Sequence, residues 1–292
     1  MTLHIQGHRW LAWSVLGTAL LHAGPVSSQE APTPTVHWAY ASYFGTGWYR
    51  IGDQQSAFVA SLAPRWMSGD VAWLSNAGRE TTYSVRVPIT VGVARLDLED
   101  VPGILDPDNF STASLGLGAD LDIPVSARLS VRPSAQLSYG TVLGESDDAW
   151  TYRGDLRARY TFEAGKLDWA LIGMAGHVGY DASQGVDDSF SYAGLGAEFA
   201  YPVHWFSAGD SQTLVYWHLL YAKFPNRLEA SGGAGQPEDV ASYWQAGLAF
   251  GKKDERLRLW FLSFDRLGIA YDISPSGELR GIKFVFRSLY DP

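Results

Sequence analysis

Along residues 126–141 apolar and polar side chains alternate without a break. Ala127, Leu129, Val131, Pro133, Ala135, Leu137 and Tyr139 fall on one parity, and Ser126, Arg128, Ser130, Arg132, Ser134, Gln136 and Ser138 on the other. A period of two belongs to a β-strand, whose successive side chains point to opposite faces. The split returns in 150–163, where Trp150, Tyr152, Leu156, Ala158, Tyr160 and Phe162 oppose Thr151, Arg153, Asp155, Arg157, Arg159, Thr161 and Glu163. It recurs in 80–93 and 112–123, and more loosely in 189–201 and 240–250. Two stretches, 167–180 and 213–224, are apolar on both parities, as strands beside a plug or a packed interior would be.

Length gives these runs their meaning. Strands of soluble proteins typically run about five or six residues, whereas crossing a bilayer takes about nine to eleven tilted ones. The pattern predicts twelve antiparallel strands, at 43–51, 55–64, 80–96, 111–122, 126–141, 150–162, 167–181, 189–201, 213–224, 240–250, 265–273 and 279–290. Connections at 123–125 and 164–166 are tight and that at 202–212 is somewhat longer; they alternate along the chain with the second set, 98–110, 142–149, 182–187 and 225–239. Alternating short and long connections characterise a transmembrane barrel. The expected fold is therefore all-β, a single antiparallel up-and-down transmembrane β-barrel of about 12 strands.

Composition changes this picture little. Aromatic residues make up 14% of the chain, with 12 Trp, 15 Tyr and 31 Gly, yet mean hydropathy is only −0.09. Lipid-facing apolar residues that alternate with lumen-facing polar ones cancel in the average, while aromatic girdles raise Trp and Tyr. An aromatic-rich secreted β-sandwich would share that composition. The net charge of −9 argues against a nucleic-acid partner, which needs a basic face. Without cysteine, neither disulfides nor thiolate metal sites are available.

At the N-terminus, Met1 to Arg9 is polar and Trp10 to Ala23 is a short apolar run followed by Gly24, Pro25 and small residues. This has the shape of a cleaved export signal and is too short for a spanning helix. With Val26 and Ser28 ahead of the cut, the expected division is a signal peptide at 1–28, a short segment at 29–42 able to plug the bore, and the barrel at 43–292.

Candidate chemistry lies on the polar parity. Arg128, Arg132, Arg153, Arg157 and Arg159 project from neighbouring strands, accompanied by Asp120, Asp155 and Glu163. Pairing across the 123–125 turn would set Asp120 near Arg128, and Arg132 against Arg157 or Arg159. Two readings stay open. The charges satisfy one another and fill a narrow lumen, because buried charges persist mainly when paired. Alternatively they form an arginine-lined constriction that selects anionic solutes, as rings of charge do in pores. A hydrolase would need a histidine base near a nucleophile and an acid, and His177 with Asp181, Ser183 and Ser189 is the available set. The acidic run Asp97, Glu99, Asp100, Asp106 and Asp108 lacks calcium-loop spacing, and Gly45-Thr46-Gly47 and 231–235 lack the features of a phosphate loop. No metal or cofactor is expected.

Near the C-terminus, Gly281, Phe284, Phe286 and Tyr290 look like the final strand of outer-membrane barrels, in which a glycine and alternating aromatic residues serve as the assembly signal. This sequence departs from that pattern at Leu279 and at the trailing Asp291-Pro292. Together with Phe44-Gly45-Thr46-Gly47-Trp48-Tyr49-Arg50-Ile51, Arg86-Val87-Pro88-Ile89-Thr90-Val91-Gly92 and Arg266-Leu267-Gly268-Ile269-Ala270-Tyr271, it resembles the solitary outer-membrane autotransporter-like β-barrel proteins. The resemblance implies a translocator-like barrel without a passenger and carries no catalytic residues. The expectation is a non-enzymatic outer-membrane barrel, a narrow pore for small anionic solutes. An outer-membrane hydrolase of lipase or esterase type and a structural or adhesion barrel are the alternatives. Its expected partners are outer-membrane lipids, lipopolysaccharide and the barrel-assembly machinery.

Overall fold

The computed structural model describes residues 41–51, 55–76, 78–94, 112–143, 147–165, 167–183, 187–203, 212–231, 237–253, 256–259 and 262–291. The expected signal peptide, residues 29–40 and the acidic run between Asp97 and Asp108 lie outside them.

A helical turn, α1 (Ala41–Phe44), precedes the strands. The N-terminal group is β1 (Gly47–Ile51), β2 (Gln55–Leu62), β3 (Arg65–Asn76), β4 (Arg79–Arg86), β5 (Ile89–Ala94) and β6 (Thr112–Pro124). The long central strands are β7 (Leu129–Val142), β8 (Asp148–Ala164), β9 (Leu167–Ala182), β10 (Asp188–Val203), β11 (Thr213–Ser231) and β12 (Pro237–Lys252). A small hairpin of β13 (Leu257–Leu259) and β14 (Leu262–Phe264) leads to β15 (Arg266–Ile273) and β16 (Leu279–Val285). All pairings are antiparallel, and β16 pairs with β1, so the sheet closes on itself.

Proline explains why sixteen strands make twelve staves. β4 and β5 share one register against β6, running from Thr82↔Asp122 to Gly92↔Thr112 across Val87-Pro88. Proline has no N–H to give to the ladder, yet Pro88 still accepts a bond from Gly116 N at 2.9 Å. In the same way β2 and β3 are one stave interrupted at Ala63-Pro64, bridged by Val87 N to Pro64 O at 3.1 Å. With β13 and β14 outside the wall, the chain is a closed antiparallel β-barrel of twelve staves.

The register sets the shape. Followed once round the wall, it returns to β1 about fourteen residues further on, a stagger that goes with strands tilted by about 40°. The outer parity carries the exposed apolar side chains, among them Leu117, Leu137, Leu156, Leu195, Leu219, Leu248, Ile269 and Ile282. Rings fringe this belt on both sides. Phe162, Trp169, Phe199 and Trp217 run as a chain with centroids 4.0, 6.1 and 6.0 Å apart towards the rim where the chain ends. Tyr139 and Trp150, 5.2 Å apart, stand towards the opposite rim. Such a belt, about 25 Å tall between aromatic girdles, is what hydrocarbon requires of a barrel exterior.

Three expectations are corrected here. The first residues of the predicted 43–51 strand are not in the wall: Gly45, at φ +81°, turns the chain so that Tyr43 and Phe44 enter the bore. Only a residue tolerant of left-handed backbone makes that turn without strain. Residues 65–76, assigned to no strand, pair with β4 through a bulge at Arg65/Met67. Finally, the predicted 279–290 strand stops at Val285, and the tail beyond it folds inward.

Candidate functional site: the two stoppers of the bore

Both α1, ahead of the first strand, and the tail beyond β16 occupy the interior. Towards the rim opposite the C-terminus, Tyr43 packs edge-on against Phe190 and Tyr192 with centroids 5.1 and 5.0 Å away, and Phe44 lies 5.2 Å from Tyr49. Val178, Tyr180, Phe224, Val240, Tyr243 and Leu279 complete an apolar cluster around them. The Tyr49 hydroxyl donates to the Phe44 carbonyl and pins the turn to the wall. The doubly apolar parity of 167–180 and 213–224 is thereby explained, since these strands meet packed side chains on their inner face instead of water.

At the other end the tail from Phe286 to Asp291 crosses the bore. Tyr290 is fully buried, with the Arg132 and Arg159 guanidiniums 4.3 and 4.6 Å from its ring centre. Its hydroxyl donates to Asp122 Oδ1 at 3.0 Å. Arg157 Nη1 donates to the Leu289 and Asp291 carbonyls, both at 2.8 Å, and Arg132 pairs with the Asp291 carboxylate. On the far wall Glu198 accepts from Ser288 Oγ at 2.6 Å, Leu289 N at 2.7 Å and Arg266 Nη1 at 3.0 Å. One inward carboxylate thus satisfies two tail donors and one wall cation. This meets the condition under which a buried charge is tolerable.

The charged residues singled out from the sequence divide into three groups. Arg132, Arg153, Arg157, Arg159, Asp120 and Asp155 face the bore. Asp120 accepts from Ser84 Oγ at 2.6 Å and pairs with Arg86 Nε at 3.1 Å. Asp155 bridges Arg153 Nε at 2.9 Å and Arg157 Nε at 3.0 Å. Arg128 is not in the lumen: β7 begins one residue later, and Arg128 lies exposed in the 125–128 turn. Its expected partner Asp120 stands opposite Ser134. Glu163 is likewise exposed at the end of β8, opposite Asp168. Arg132 is in register with Arg157, two like charges on adjacent staves that Asp122, Asp155 and Asp291 separate electrostatically.

Of the C-terminal residues, Gly281 lies under the Tyr49 ring, Phe284 is on the outer face, and Phe286 stacks on Phe264 at 4.9 Å. Tyr290 is on neither face of the strand but inside the barrel, because the Glu198 and Asp122 carboxylates capture the tail.

Sequence reasoning passed over a second polar chain. His218 is buried and shares a hydrogen bond of 3.0 Å between its Nε2 and Gln245 Oε1; Gln245 Nε2 donates to Asp272 at 2.7 Å, and Lys283 lies 3.5 Å from Asp272. Gly247 makes room for the imidazole, as a Cβ there would fall 2.2 Å from His218 Cε1. Flanking by the outward Trp217 and Leu219 was the available signal that His218 points inward. His177, the candidate base of a hydrolase, is exposed on the outer parity and pairs through Nδ1 with Ser191 Oγ at 3.0 Å, not with Ser183 or Ser189.

Between the two stoppers, and reaching the C-terminal rim, lies a chamber of about 490 Å³. Among the described residues, eight Arg and Lys side chains line it, with the carboxylates of Asp120, Asp265 and Asp291.

No protein-family model and no curated protein sequence matches the chain. Among solved structures it is similar to the β-domain of the Bordetella autotransporter BrkA, at 13% identity over 82% of this chain and 92% of that one, with a TM-score of 0.47. It is similar also to the translocator domain of the autotransporter NalP from Neisseria meningitidis (10% identity, 82% of each chain, TM-score 0.46). For LpxR from Salmonella typhimurium the figures are 11% identity, 81% of this chain, 90% of that one, and a TM-score of 0.40.

Proposed function

We propose that this chain is a non-enzymatic outer-membrane barrel of the translocator-like kind, whose bore is held shut by α1 and by the tail that follows β16, and admits small anions only when that tail releases. The membrane assignment is supported by the outer apolar belt between two aromatic girdles, with the buried carboxylates and guanidiniums of the described residues turned the other way. The carrying observation for the gate is the lock made by Asp122, Arg132, Arg157 and Glu198 on Tyr290, Asp291, Leu289 and Ser288. A permanent wall would not need charge-assisted bonds to a segment outside the sheet, whereas a releasable stopper is held by such bonds.

Conductance in planar bilayers tests this. The intact chain is expected to show rare, small openings. A variant relieved at both ends (Tyr43→Ala, Phe44→Ala, Tyr290→Ala, Asp291→Ala) should pass a sustained current that prefers anions, with the preference reduced by Arg153→Ala. A wide, steady conductance from the intact chain would overturn the gated reading, and so would silence from the relieved variant.

A further inference from the structure

We infer that the chamber opens sideways through the wall, between β3 and the end of β16, and that one acyl chain of a phospholipid from the surrounding bilayer occupies this opening. The inference rests on the membrane reading of the outer belt and is independent of tail release.

Residues of both parities border the chamber. Gln136, Arg153 and Met174 face the bore. Leu62, whose register partner is the exposed Ile89, Met67 at 45% exposure and Phe284 at 37% belong to the outer parity, yet they border the same cavity. In a complete wall the sheet separates these two sets, because successive side chains take opposite faces. A cavity bordered by both passes through the wall.

The break follows from how the stoppers are made, since residues that turn into the bore cannot also extend a stave. Gly45 sends the chain inward, so β1 has only 5 residues. Its ladder to β16 runs from Ile51↔Leu279 to Gly47↔Lys283, with one further bond from Phe284 N to Thr46 O at 2.9 Å. On its other side the contact ends where Thr46 Oγ1 donates to the Ser61 carbonyl at 2.7 Å. Beyond these points, towards the C-terminal rim, β2 continues as β3, whose sheet partner among the described residues is β4. The tail stays with β15, through Arg266 N to Phe286 O at 3.3 Å. Among the described residues no strand lies between that tail and the stretch from Ala63 to Met67. Neighbouring strands are about 4.8 Å apart, so one absent stave leaves roughly 10 Å between the backbones on either side of it. The Arg287 side chain crosses this interval to the Ala63 carbonyl.

The outer lip of the opening is apolar. Met67 and Trp66, the latter 68% exposed, form one side, and Phe284 with Phe286, stacked on Phe264 at 4.9 Å, forms the other. Backbone at membrane depth is tolerated where its polar groups are satisfied or line a polar cavity. Pro64 brings no N–H to this edge and its carbonyl receives Val87 N at 3.1 Å, while the Ala63 carbonyl receives Arg287. A proline in the edge also disfavours an added β-strand, whether from a second copy or from another protein, which would need that N–H. An alkyl chain needs no backbone partner, and lipid is what surrounds the lip. The chamber, about 490 Å³, falls in the range of about 300–1,000 Å³ usual for small-ligand sites. Because it also reaches the C-terminal rim, the headgroup stays level with the other headgroups of that leaflet while one chain lies in the opening.

Photo-crosslinking of the unaltered full chain tests this. The chain is refolded into phosphatidylcholine vesicles in which part of the lipid carries a diazirine on one acyl chain, and cross-linked residues are located by tandem mass spectrometry. Ser61 and Ala63, on the inward parity at the lip, are expected to be labelled with a yield within about threefold of that at the outward Leu137, because bilayer lipid reaches both. Ser130 and Ser138, buried behind unbroken wall on β7, are expected to stay unlabelled. Labelling of Leu137 without Ser61 and Ala63 overturns the inference and leaves the membrane reading standing, whereas no labelling at Leu137 overturns both. Labelling of Ser130 and Ser138 equal to that of Ala63 also overturns the inference, since the probe would then enter the bore without using the opening.

Discussion

Replacing Tyr290 by Phe removes one hydroxyl and nothing else from the C-terminal stopper. That hydroxyl donates to the Asp122 carboxylate, which also receives Arg132 Nη2 at 2.6 Å. A hydrogen bond to a charged group contributes about 1.5–3 kcal/mol. The ring keeps its two guanidinium neighbours, so the loss falls on the docked tail alone. If the tail detaches as a local unit, its opening equilibrium rises by about 10- to 150-fold. Hydrogen exchange of the C-terminal peptide, followed by mass spectrometry in nanodiscs, reads this directly through the Leu289 amide, which is bonded to Glu198 in the closed state. Tyr290→Ala also forfeits ring burial, about 3–5 kcal/mol for a large aromatic residue, and should exchange faster still. Exchange at Leu289 within about threefold of the parent in Tyr290→Phe would refute the reasoning, since 3 kcal/mol or even half of it exceeds that factor.

Arg132→Ala should destabilise the barrel by about 1–3 kcal/mol in urea unfolding followed by Trp fluorescence, because it removes the cation shared by the half-buried Asp122 and Asp291 carboxylates. Leu137→Arg, on the outer face and 51% exposed to what the belt meets, should cost about 2–4 kcal/mol in vesicles. Tyr43→Ala opens the aromatic stopper without touching the tail, so it should speed exchange in α1 and leave that of Leu289 unchanged in the same mass-spectrometric measurement. Asp155→Asn removes the carboxylate shared by Arg153 and Arg157, and anion selectivity of a relieved barrel should increase in reversal-potential measurements.

What could be read from the sequence follows from where one rule governs. In β7 and β8 parity alone decides orientation, and the inward Arg132, Arg153, Arg157 and Arg159 and the outward Leu137, Tyr152 and Leu156 stand where alternation puts them. Parity gives no strand ends, however. Arg128 shares the parity of Arg132 but belongs to a turn, because Val125 and Ser126 N–H groups both bond the Leu129 carbonyl and close the chain there. β3 was hidden because the bulge between Arg65 and Met67 shifts its alternation partway. The tail was misread for a different reason. Phe284, Phe286 and Tyr290 continue an alternating pattern, and only the tertiary capture of Ser288 and Leu289 by Glu198, ninety residues away, ends the strand. The side opening was not legible at all, since Met67 and Phe284 are distant in sequence and meet only through closure of the barrel.

The whole account rests on a wall with lipid on one side and a packed, charged interior on the other. The chain has no cysteine, so single cysteines at 135, 136, 137 and 138 on β7 can each carry a nitroxide label. Power saturation in bilayers is then read with oxygen, which partitions into lipid, and with a nickel chelate, which does not. Labels at 135 and 137 are predicted to be relaxed strongly by oxygen, and those at 136 and 138 much less so, because they face the chamber and the polar interior and not lipid. Equal oxygen response at all four positions, or the opposite parity, would contradict the barrel described here.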